Sequence, residues 1–596
     1  MNDHQLDDFF GFKSPDEEKK RKEGIRESIL KNLGQSLKLR LIPRVLSQKE
    51  RRLILALLIL VAGSIASLPF TFYYHFTATR PDYGGSFSEG VIGEPRHINP
   101  LLAKTDADND LTELIFSGLM KYNDTGKLVP DLAKSYEISS DGLKYTVYIK
   151  EDAEWSDGKP VSADDIIFTI QTIQNSDYGS PLRINWQGVE VEKAGDYAVI
   201  FKLKNKYAQF LNNLTVKILP KHLWQDIKPI NFALSELNIK PIASGPFKFK
   251  KLKKDKLGAI RSYELEANKN FYDGRPYIDN IEFKFYASED AMIDAHNKGE
   301  IGAMSFVSPK NIKKIKFKQR LSIQKINMPR YFAVFFNQNQ SKLLSDKNVR
   351  LALAYGTDKN DLIKQVLDDN GITVDSPLVG GALDISDSVT KYSYDPDNAK
   401  KMLSTAGWTN ADEHGILSKK DGSDRLSVKI TTSTWPELAE VANILKEQWS
   451  KIGVEVNTEV LPITELQQTI KDRGYQTLLF GEILNIDPDP FSLWHSSQKR
   501  EPGLNLALYD NKAADTLLED ARQTLNPLER AKKYDDFQKL VAEDIPAIFL
   551  YNPQYLYAQS NKINGFDSKI IAAPSDRFAN ANQWYVETKR AFGEKE

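Results

Sequence analysis

Hydrophobic residues are spread unevenly along the chain, and one long apolar segment stands apart from the rest. Residues 53–76 contain no Asp, Glu, Lys or Arg, and a helix needs about 20 such residues to cross a membrane. Basic residues precede this segment and aromatic residues fill its far end: Lys49, Arg51 and Arg52, then Phe70, Phe72, Tyr73, Tyr74 and Phe76. This distribution predicts a single-pass anchor in the cell membrane, with a cytoplasmic tail over 1–52 and everything after about residue 77 outside.

The apolar segment also shares one feature with a secretory signal peptide. Ser64-Ile65-Ala66 resembles the small-x-small pattern of a cleavage site. We favour an uncleaved anchor, because about 50 residues precede the apolar run, far more than the short basic region of a usual signal peptide. Within the tail, residues 24–42 place apolar side chains at helical spacing among Lys and Arg. That pattern is typical of an amphipathic helix on the inner membrane surface, or of a solvated helix with no further role.

Beyond a short linker, 77–86, helical and strand patterns alternate, which favours an α/β architecture. Ser162 is a candidate N-cap for the apolar-periodic stretch that follows it. A further helix is predicted to begin at Asp395-Pro396 and to end before Gly407.

Two kinds of supersecondary unit are predicted in this outer part. Apolar residues recur at helical spacing over 435–453 and alternate over 454–461, and the order helix then strand returns over 465–483. This succession predicts a right-handed crossover unit with parallel strands. By contrast, 142–162 and 247–267 carry strand patterns interrupted by turn residues, which predicts antiparallel hairpins.

Composition narrows the class of protein. At about 150 residues per domain, a chain of 596 residues allows three or four domains. The net charge is −1, whereas a nucleic-acid-binding protein needs a strongly basic face. The sequence has no cysteine, so disulfides, thiolate metal sites, cysteine nucleophiles and lipid attachment through cysteine are all excluded.

The motifs of common catalytic and metal sites are missing from the sequence. We find no H-E-x-x-H, G-x-S-x-G, P-loop or G-x-G-x-x-G pattern, and the seven histidines lie far apart. Asp487-Pro488-Asp489-Pro490 could supply paired carboxylates for acid–base chemistry, but a loop held rigid by its prolines is the simpler interpretation. We therefore expect a binding protein without cofactor or metal rather than an enzyme.

An acidic stretch, KTDADND at 104–110, has the alternate spacing of a calcium loop. An EF-hand needs Gly at its sixth position and Glu at its twelfth, but Leu111 and Ser117 stand there. Without the Gly the chain cannot make the sharp turn, and without the Glu the ion loses two oxygen ligands. Calcium binding is therefore not expected.

Several long motifs in consistent order resemble the extracytoplasmic solute-binding proteins of oligopeptide and dipeptide ABC importers. The resemblance extends over residues 87–565. It rests on GEPRHINPLL with the following IFSGLMKYNDTGKLVPDLAKSYEISSDGLKYTVYIKEDAEWSDGKPVSADDIIFTI, on ASGPFKF, on YDPDNAKKMLSTAGW and on DPDPFSLWHSSQ. The family fold is a two-lobed, type II periplasmic-binding-protein-like fold of α/β class, with an extra domain inserted in the first lobe. In this chain it would follow one transmembrane helix. The implied first lobe is 85–127, 236–332 and 552–590, the inserted domain 128–235 and the second lobe 333–551.

The resemblance also implies which residues line a peptide cleft. Lys104, Thr105 and Asp106 match a segment whose backbone pairs with the ligand, and Gly481, Glu482 and Ile483 match the opposite pairing stretch. Asp108 to Asp110 are expected to cap the helix that follows. Trp186, Trp494 and His495 could form walls of the pocket, although packing in the core is at least as plausible for each.

One departure from the family pattern affects the ligand. Peptide-binding members carry an aspartate for the ligand amino terminus where this chain has Asn485. A buried ammonium needs a charged partner, so three alternatives stay open: Asp487 replaces the missing carboxylate, Glu482 does so, or the ligand has no free amine.

The implied function is capture of peptides by lobe closure and their delivery to ABC permease subunits, by a monomer without cofactor. Two alternatives keep the same fold: a receptor that reports peptide occupancy to the cytoplasm, or a protein that binds another solute, such as an oligosaccharide or a metal chelate. An extracellular hydrolase is disfavoured because nucleophile and metal motifs are missing.

Overall fold

The computed structural model describes Lys20, Gly24 and residues 47–592, apart from 382, 384, 386, 387 and 420–423. The amphipathic pattern predicted over 24–42 therefore lies outside the described residues, except for Gly24. Two compact units are present. The first comprises 1–80 with 589–596, and the second comprises 81–588.

The helices and strands follow in chain order. The α-helices are α1 Gln48–Phe76, α2 Asp106–Ile115, α3 Ala163–Gln174, α4 Phe210–Asn213, α5 Lys221–Trp224, α6 Pro229–Phe232, α7 Glu289–Asn297, α8 Lys342–Ser345, α9 Lys347–Tyr355, α10 Lys359–Leu367, α11 Pro396–Thr405, α12 Pro436–Ser450, α13 Ile463–Lys471, α14 Phe491–Trp494, α15 Lys512–Gln523 and α16 Pro527–Asp544. The strands are β1 Thr77–Pro81, β2 Ser86–Ile92, β3 Met120–Tyr122, β4 Leu128–Pro130, β5 Ala133–Ile138, β6 Lys144–Ile149, β7 Val189–Gly195, β8 Ala198–Leu203, β9 Phe247–Lys254, β10 Ile260–Ala267, β11 Asn280–Tyr286, β12 Ala303–Met304, β13 Leu321–Ile326, β14 Arg330–Phe336, β15 Gly371–Thr373, β16 Trp408–Ala411, β17 Leu417–Lys419, β18 Ser427–Ser433, β19 Glu455–Leu461, β20 Thr477–Ile483, β21 Ala547–Pro553, β22 Tyr555–Ser560 and β23 Thr588–Phe592.

The first unit contains the long apolar helix α1 and a two-stranded ribbon. Ser47 and Glu50 form a capping box at the start of α1, whose side chains are all exposed. By length and composition, α1 could cross a membrane. Strand β1 occupies the first half of the predicted linker and pairs with β23, close to the end of the chain.

The second unit is built around two large sheets. The seven-stranded sheet has the order β13-β22-β12-β2-β11-β10-β9, and the six-stranded sheet has the order β15-β21-β14-β20-β18-β19. The chain crosses from the first sheet to the second between β13 and β14, and returns between β21 and β22. The Asn552 side chain donates to the Met328 carbonyl at 2.9 Å, so these two crossing segments are tied together.

The predicted crossover unit is confirmed in the six-stranded sheet, where β19 and β20 both run parallel to β18. The intervening helix α12 buries Leu438, Val441, Leu445 and Trp449, the face that the apolar periodicity predicts. The helices expected after Ser162 and Asp395 are confirmed as α3 and α11, and Ser162 and Asp395 are their N-caps.

The hairpin predicted over 247–267 is confirmed, since β9 and β10 pair antiparallel. Over 142–162 the structure differs from the predicted hairpin. Strand β6 pairs with β5 and β8 in the four-stranded sheet β5-β6-β8-β7. Residues 154–160 make only a single bridge around a turn at Gly158, whose φ is +84°. Strand β5 directly precedes β6 through a tight turn and β8 comes much later in the chain, so both partners of β6 lie outside 142–162.

Candidate functional site

A polar cavity of about 330 Å³ lies in the second unit. Its walls come from residues within 100–122, 182–217 and 572–579, together with Asn485, which follows β20 of the six-stranded sheet. Amide side chains are prominent in the lining: Asn109, Asn185, Asn212, Asn213 and Asn485. The cavity therefore lies between the half that carries the six-stranded sheet and the rest of the second unit. Its lining offers many hydrogen-bond donors and acceptors.

The acidic stretch at 104–110 forms the start of α2 beside this cavity. Thr105 is the N-cap: its hydroxyl accepts from the Asp108 N–H at 3.1 Å, and the Asp108 carboxylate accepts from the Thr105 N–H at 3.3 Å. We expected Asp108 to Asp110 to cap the helix, but the N-cap is Thr105. The helix begins earlier because Thr105 and Asp108 form a reciprocal capping box across its first turn. Lys104, Thr105 and Asp106 remain exposed.

The alternating acids of this stretch have separate tasks. Asp108 also accepts from the backbone N–H groups of Arg96 and His97, at 2.6 and 2.8 Å, and so holds the preceding loop against α2. Asp110 points into the core, where it meets Arg577. Only Asp106 presents its carboxylate to solvent.

Arg577 holds this wall of the cavity to the seven-stranded sheet. Its guanidinium donates to both carboxylate oxygens of Asp110, at 2.7 and 2.6 Å, and to Glu89 of β2 at 2.6 Å. All three side chains are buried, and the Tyr557 hydroxyl also donates to Glu89 at 2.8 Å. Burial raises the pKa of Asp110 to about 6, although Arg577 opposes the rise. The network fixes α2 relative to β2.

A second buried ion pair lies in the cavity wall itself. Lys217 donates to Glu113 at 2.8 Å, and each side chain is almost entirely buried. Burial raises the pKa of Glu113 to about 7, and the attraction of Lys217 opposes the rise. Among the described residues, nothing pairs with the buried hydroxyl of Thr112, a residue that also lines the cavity.

The stretch Gly481–Ile483 lies beside a second, apolar cavity of about 550 Å³. Side chains of Phe332, Trp435 and Leu438 contribute to it. Ile483 is 68% exposed and Trp435 49% exposed, so the cavity presents apolar surface to solvent.

The backbone of β20 is free on one edge along this cavity. Antiparallel pairing with β14 covers the whole of 477–483. On the other edge, parallel pairing with β18 covers only Thr477 and Leu478, and a further bond joins the Thr432 hydroxyl to the Leu479 carbonyl. The described strands therefore leave Gly481–Ile483 with an open edge, to which an extended chain could add.

The Glu482 side chain is buried in a hydrogen-bonded network. The Tyr331 hydroxyl donates to its Oε2 atom, and the Trp494 indole N–H donates to the Tyr331 oxygen at 3.2 Å. Burial raises the pKa of Glu482 to about 8. At neutral pH this carboxyl is mostly protonated, so it does not supply a negative charge to a ligand.

The loop after β20 separates the remaining candidate residues. Asn485 is exposed and lines the polar cavity. Asp487 receives a hydrogen bond from Arg530 at 2.9 Å through Oδ2, while its buried Oδ1 has no partner among the described residues. Asp489 is paired with Arg522 at 3.0 Å, so both aspartates of the DPDP stretch are held by arginines of the same half.

Three aromatic candidates are largely enclosed by protein. Trp494 is fully buried against Phe335 and Phe549. His495 stacks on Phe491 at 4.1 Å and hydrogen-bonds Ser497 and Glu519. Trp186 is buried among Phe201 and Phe210, yet it also contributes to the polar cavity. Of these three, Trp186 is the one that borders a described cavity.

Direct hydrogen bonds also join the segment before α4 to the half that carries the six-stranded sheet. The Gln209 amide donates to the Pro488 carbonyl at 3.1 Å and to the Tyr534 hydroxyl at 3.0 Å. The Ala208 N–H donates to the Arg522 carbonyl at 2.7 Å. These bonds join the segment before α4 to the loop after β20 and to α15 and α16.

Two sheets joined by paired crossing segments, with an open strand edge and a cavity between the halves, define a solute-binding protein of the two-lobed class. Residues 127–503 match the family model described as bacterial extracellular solute-binding proteins, family 5 Middle. The chain belongs to this family. The members of the family are solute-binding proteins, which agrees with the prediction that this chain is not an enzyme.

Similar proteins extend over most of the chain. The oligopeptide-binding protein AppA of Bacillus subtilis is 32% identical over 525 residues, which are 86% of this chain and 93% of AppA. Its structure in complex with a nonapeptide has a TM-score of 0.66 and covers 85% of this chain and all of that one. The dipeptide-binding protein of Escherichia coli K12 is 25% identical over 500 residues, 80% of this chain and 90% of the relative. NikZ from Campylobacter jejuni, in complex with Ni(L-His), is 28% identical with a TM-score of 0.67, and the match covers 84% of this chain and 99% of NikZ.

Proposed function

We propose that this protein captures peptides outside the cytoplasm and delivers them to the permease of an ABC transporter. The observation that carries the proposal is the open edge of β20 at Gly481–Ile483, beside an apolar cavity. Main-chain hydrogen bonds to such an edge give affinity for any peptide sequence, and neighbouring pockets add side-chain preference. The similarity to AppA, a protein named for binding oligopeptides, supports the same ligand class.

The opposite wall of the peptide site is formed by Lys104, Thr105 and Asp106 at the exposed start of α2. The Arg577 and Asp108 contacts hold this wall in place. Trp186 and Asn485 line the polar cavity, which we assign to the same site. Asp487, Trp494 and His495 stabilise the loop after β20 through their contacts within the protein.

The sheets support the following domain assignment. The first lobe comprises 85–127, 236–332 and 552–590, which carry the seven-stranded sheet. The second lobe, 333–551, carries most of the six-stranded sheet. The inserted domain, 128–235, carries the four-stranded sheet, whose apolar side chains join those of the first lobe in one core.

Closure about the two crossing segments is the proposed mechanism of capture. A peptide that contacts both walls binds the closed form better than the open form, and therefore shifts the equilibrium toward closure. The Gln209 contacts with Pro488 and Tyr534 then stabilise the closed form. In this mechanism the permease recognises the closed protein.

Helix α1 is the proposed membrane anchor, with residues 53–76 in the membrane and the tail in the cytoplasm. Its length, its lack of charge over 53–76 and the basic residues before it support this orientation. Tethering keeps a monomeric binding protein at a high effective concentration near its permease.

The ligand amino terminus provides a specific test of this site. Asp487 is already paired with Arg530 and Glu482 is mostly protonated, so we expect the native protein to bind free and N-acetylated forms of a peptide with similar affinity. Asn485→Asp places a carboxylate in the cavity and should favour the free amine roughly tenfold, the effect of about 1.4 kcal/mol from a charge-assisted hydrogen bond. Isothermal titration calorimetry with a matched peptide pair measures both affinities.

Asn457→Asp is a suitable control, because Asn457 is an exposed asparagine on β19. This variant should bind both peptide forms as the native protein does. A native protein that already prefers the free amine by tenfold or more would assign the amine to Asp487 instead. Failure of both peptide forms to bind would contradict the proposed function.

A further inference from the structure

The outer end of α1 is capped by a residue from the other end of the chain. The Arg590 guanidinium donates to the carbonyl oxygens of Tyr74 and Thr77, at 3.1 and 2.8 Å, and to the Thr77 hydroxyl at 2.9 Å. The last carbonyls of a helix have no partner within the helix and form the negative end of its dipole. Arg590 therefore satisfies both the hydrogen-bonding and the electrostatic needs of this helix end.

Aromatic contacts extend the same junction. The Arg590 guanidinium lies over the Tyr74 ring at 4.4 Å, and the Phe592 ring meets the edge of Tyr73 at 6.4 Å. Phe592 is nevertheless 67% exposed. Tyr74 and Phe76 are about half exposed in the same unit, so an apolar surface shared by the helix end and β23 remains uncovered.

The charges of the ribbon are of one sign. Strands β1 and β23 contain Arg80, Lys589 and Arg590 and no acidic residue. Exposed aromatic rings next to cationic side chains are the composition found at the boundary between lipid tails and headgroups.

We infer that the β1–β23 ribbon is part of the membrane anchor and that Phe592 inserts into the outer lipid interface beside Tyr73. This inference rests on the proposed anchoring by α1. The partner of the exposed aromatic surface is then the bilayer, with phosphate headgroups opposite Arg80. A helix cap alone requires only Arg590 and leaves the exposure of Phe592 without a role.

Fluorescence quenching in lipid nanodiscs tests the inference on the full chain. Because the sequence has no cysteine, Phe592→Cys and Tyr73→Cys each provide one labelling site for the environment-sensitive dye NBD. Lipids that carry a nitroxide near the headgroup quench NBD located in the interface, and discs without nitroxide give the baseline. We expect quenching at 592 to reach at least half of that at 73. Arg590→Ala should reduce quenching at 592 at least twofold and leave quenching at 73 unchanged.

The possible results separate this inference from the anchoring on which it rests. Quenching at 73 without quenching at 592 would overturn the insertion of Phe592 and leave the anchor intact. Absence of quenching at both positions would overturn the anchor, and the inference with it. Unchanged quenching at 592 in the Arg590→Ala protein would overturn the role of Arg590. Peptide binding by every variant should match that of the unlabelled protein, which verifies that the binding unit is folded.

Discussion

Replacing Arg577 with leucine should lower the free energy of unfolding by about 3–5 kcal/mol, the usual cost of removing one partner from a buried ionic network. The substitution leaves Glu89 and Asp110 buried together without their cation. It also releases α2, which carries one wall of the proposed peptide site. Urea unfolding of the full chain in mild detergent, followed by tryptophan fluorescence, measures the change in midpoint.

Arg425→Leu is a matched control for this prediction. Arg425 also bridges two carboxylates, Asp412 and Glu455, each at 3.2 Å, but its side chain is 49% exposed. Exposed ion pairs contribute between zero and about 1 kcal/mol, so this variant should unfold close to the native midpoint. If the two substitutions lower stability equally, burial of the Arg577 network is not the source of its large contribution.

Replacing Glu482 with glutamine should stabilise the protein at alkaline pH and change how stability depends on pH. Burial raises the pKa of Glu482 from 4.5 to about 8, so the folded state binds a proton that the unfolded state has already lost within this range. The free energy of unfolding therefore falls as pH rises from about 4.5 to 8. The loss, about 5 kcal/mol at most, is absent below the unfolded pKa and complete above the folded one.

The glutamine variant lacks this titration but keeps the size of the side chain and an oxygen that accepts from Tyr331. Its stability relative to the native protein should therefore increase steadily between pH 4.5 and 8, as measured by urea unfolding at a series of pH values. Glu465→Gln changes an exposed glutamate of α13 and should follow the native curve. Parallel curves for the native and Glu482→Gln proteins would show that Glu482 ionises normally.

Local patterns in the sequence were sufficient for part of the fold. Helix α12 and strand β19 follow from periodicity, because their apolar residues recur at the period of the element. Strand β20 follows from the helix-then-strand order over 465–483. The β9–β10 hairpin follows from two strand patterns close in sequence. The prediction over 142–162 was less accurate, because β6 pairs with β5 before that segment and with the distant β8 after it, rather than with a strand inside the segment.

The interior of the site could not be predicted in the same way. Arg577 meets Asp110 across 467 positions, and Lys217 meets Glu113 across 104. No local spacing relates such residues, since the fold alone brings them together. The side-chain direction of Glu482 could not be predicted either. Residues on both faces of β20 are largely apolar, so the pattern does not show which face borders the cavity.

Asn485 illustrates how sequence and structure contribute separately. The family pattern draws attention to its missing charge, but leaves three explanations open. The structure shows that Glu482 is turned into a buried network and that Asp487 is engaged by Arg530. The proposal that the ligand amine is not strongly recognised depends on these contacts, which the sequence does not reveal.

Native mass spectrometry of the full chain in nanodiscs tests the central claim most directly. The protein is purified without denaturation, its intact mass is recorded, and any bound molecules are then released and identified. We predict a set of short peptides of varied sequence, as expected for recognition through the backbone at the open edge of β20. Release of a metal chelate or a sugar, or a protein that stays empty when mixed with a peptide library, would contradict peptide capture.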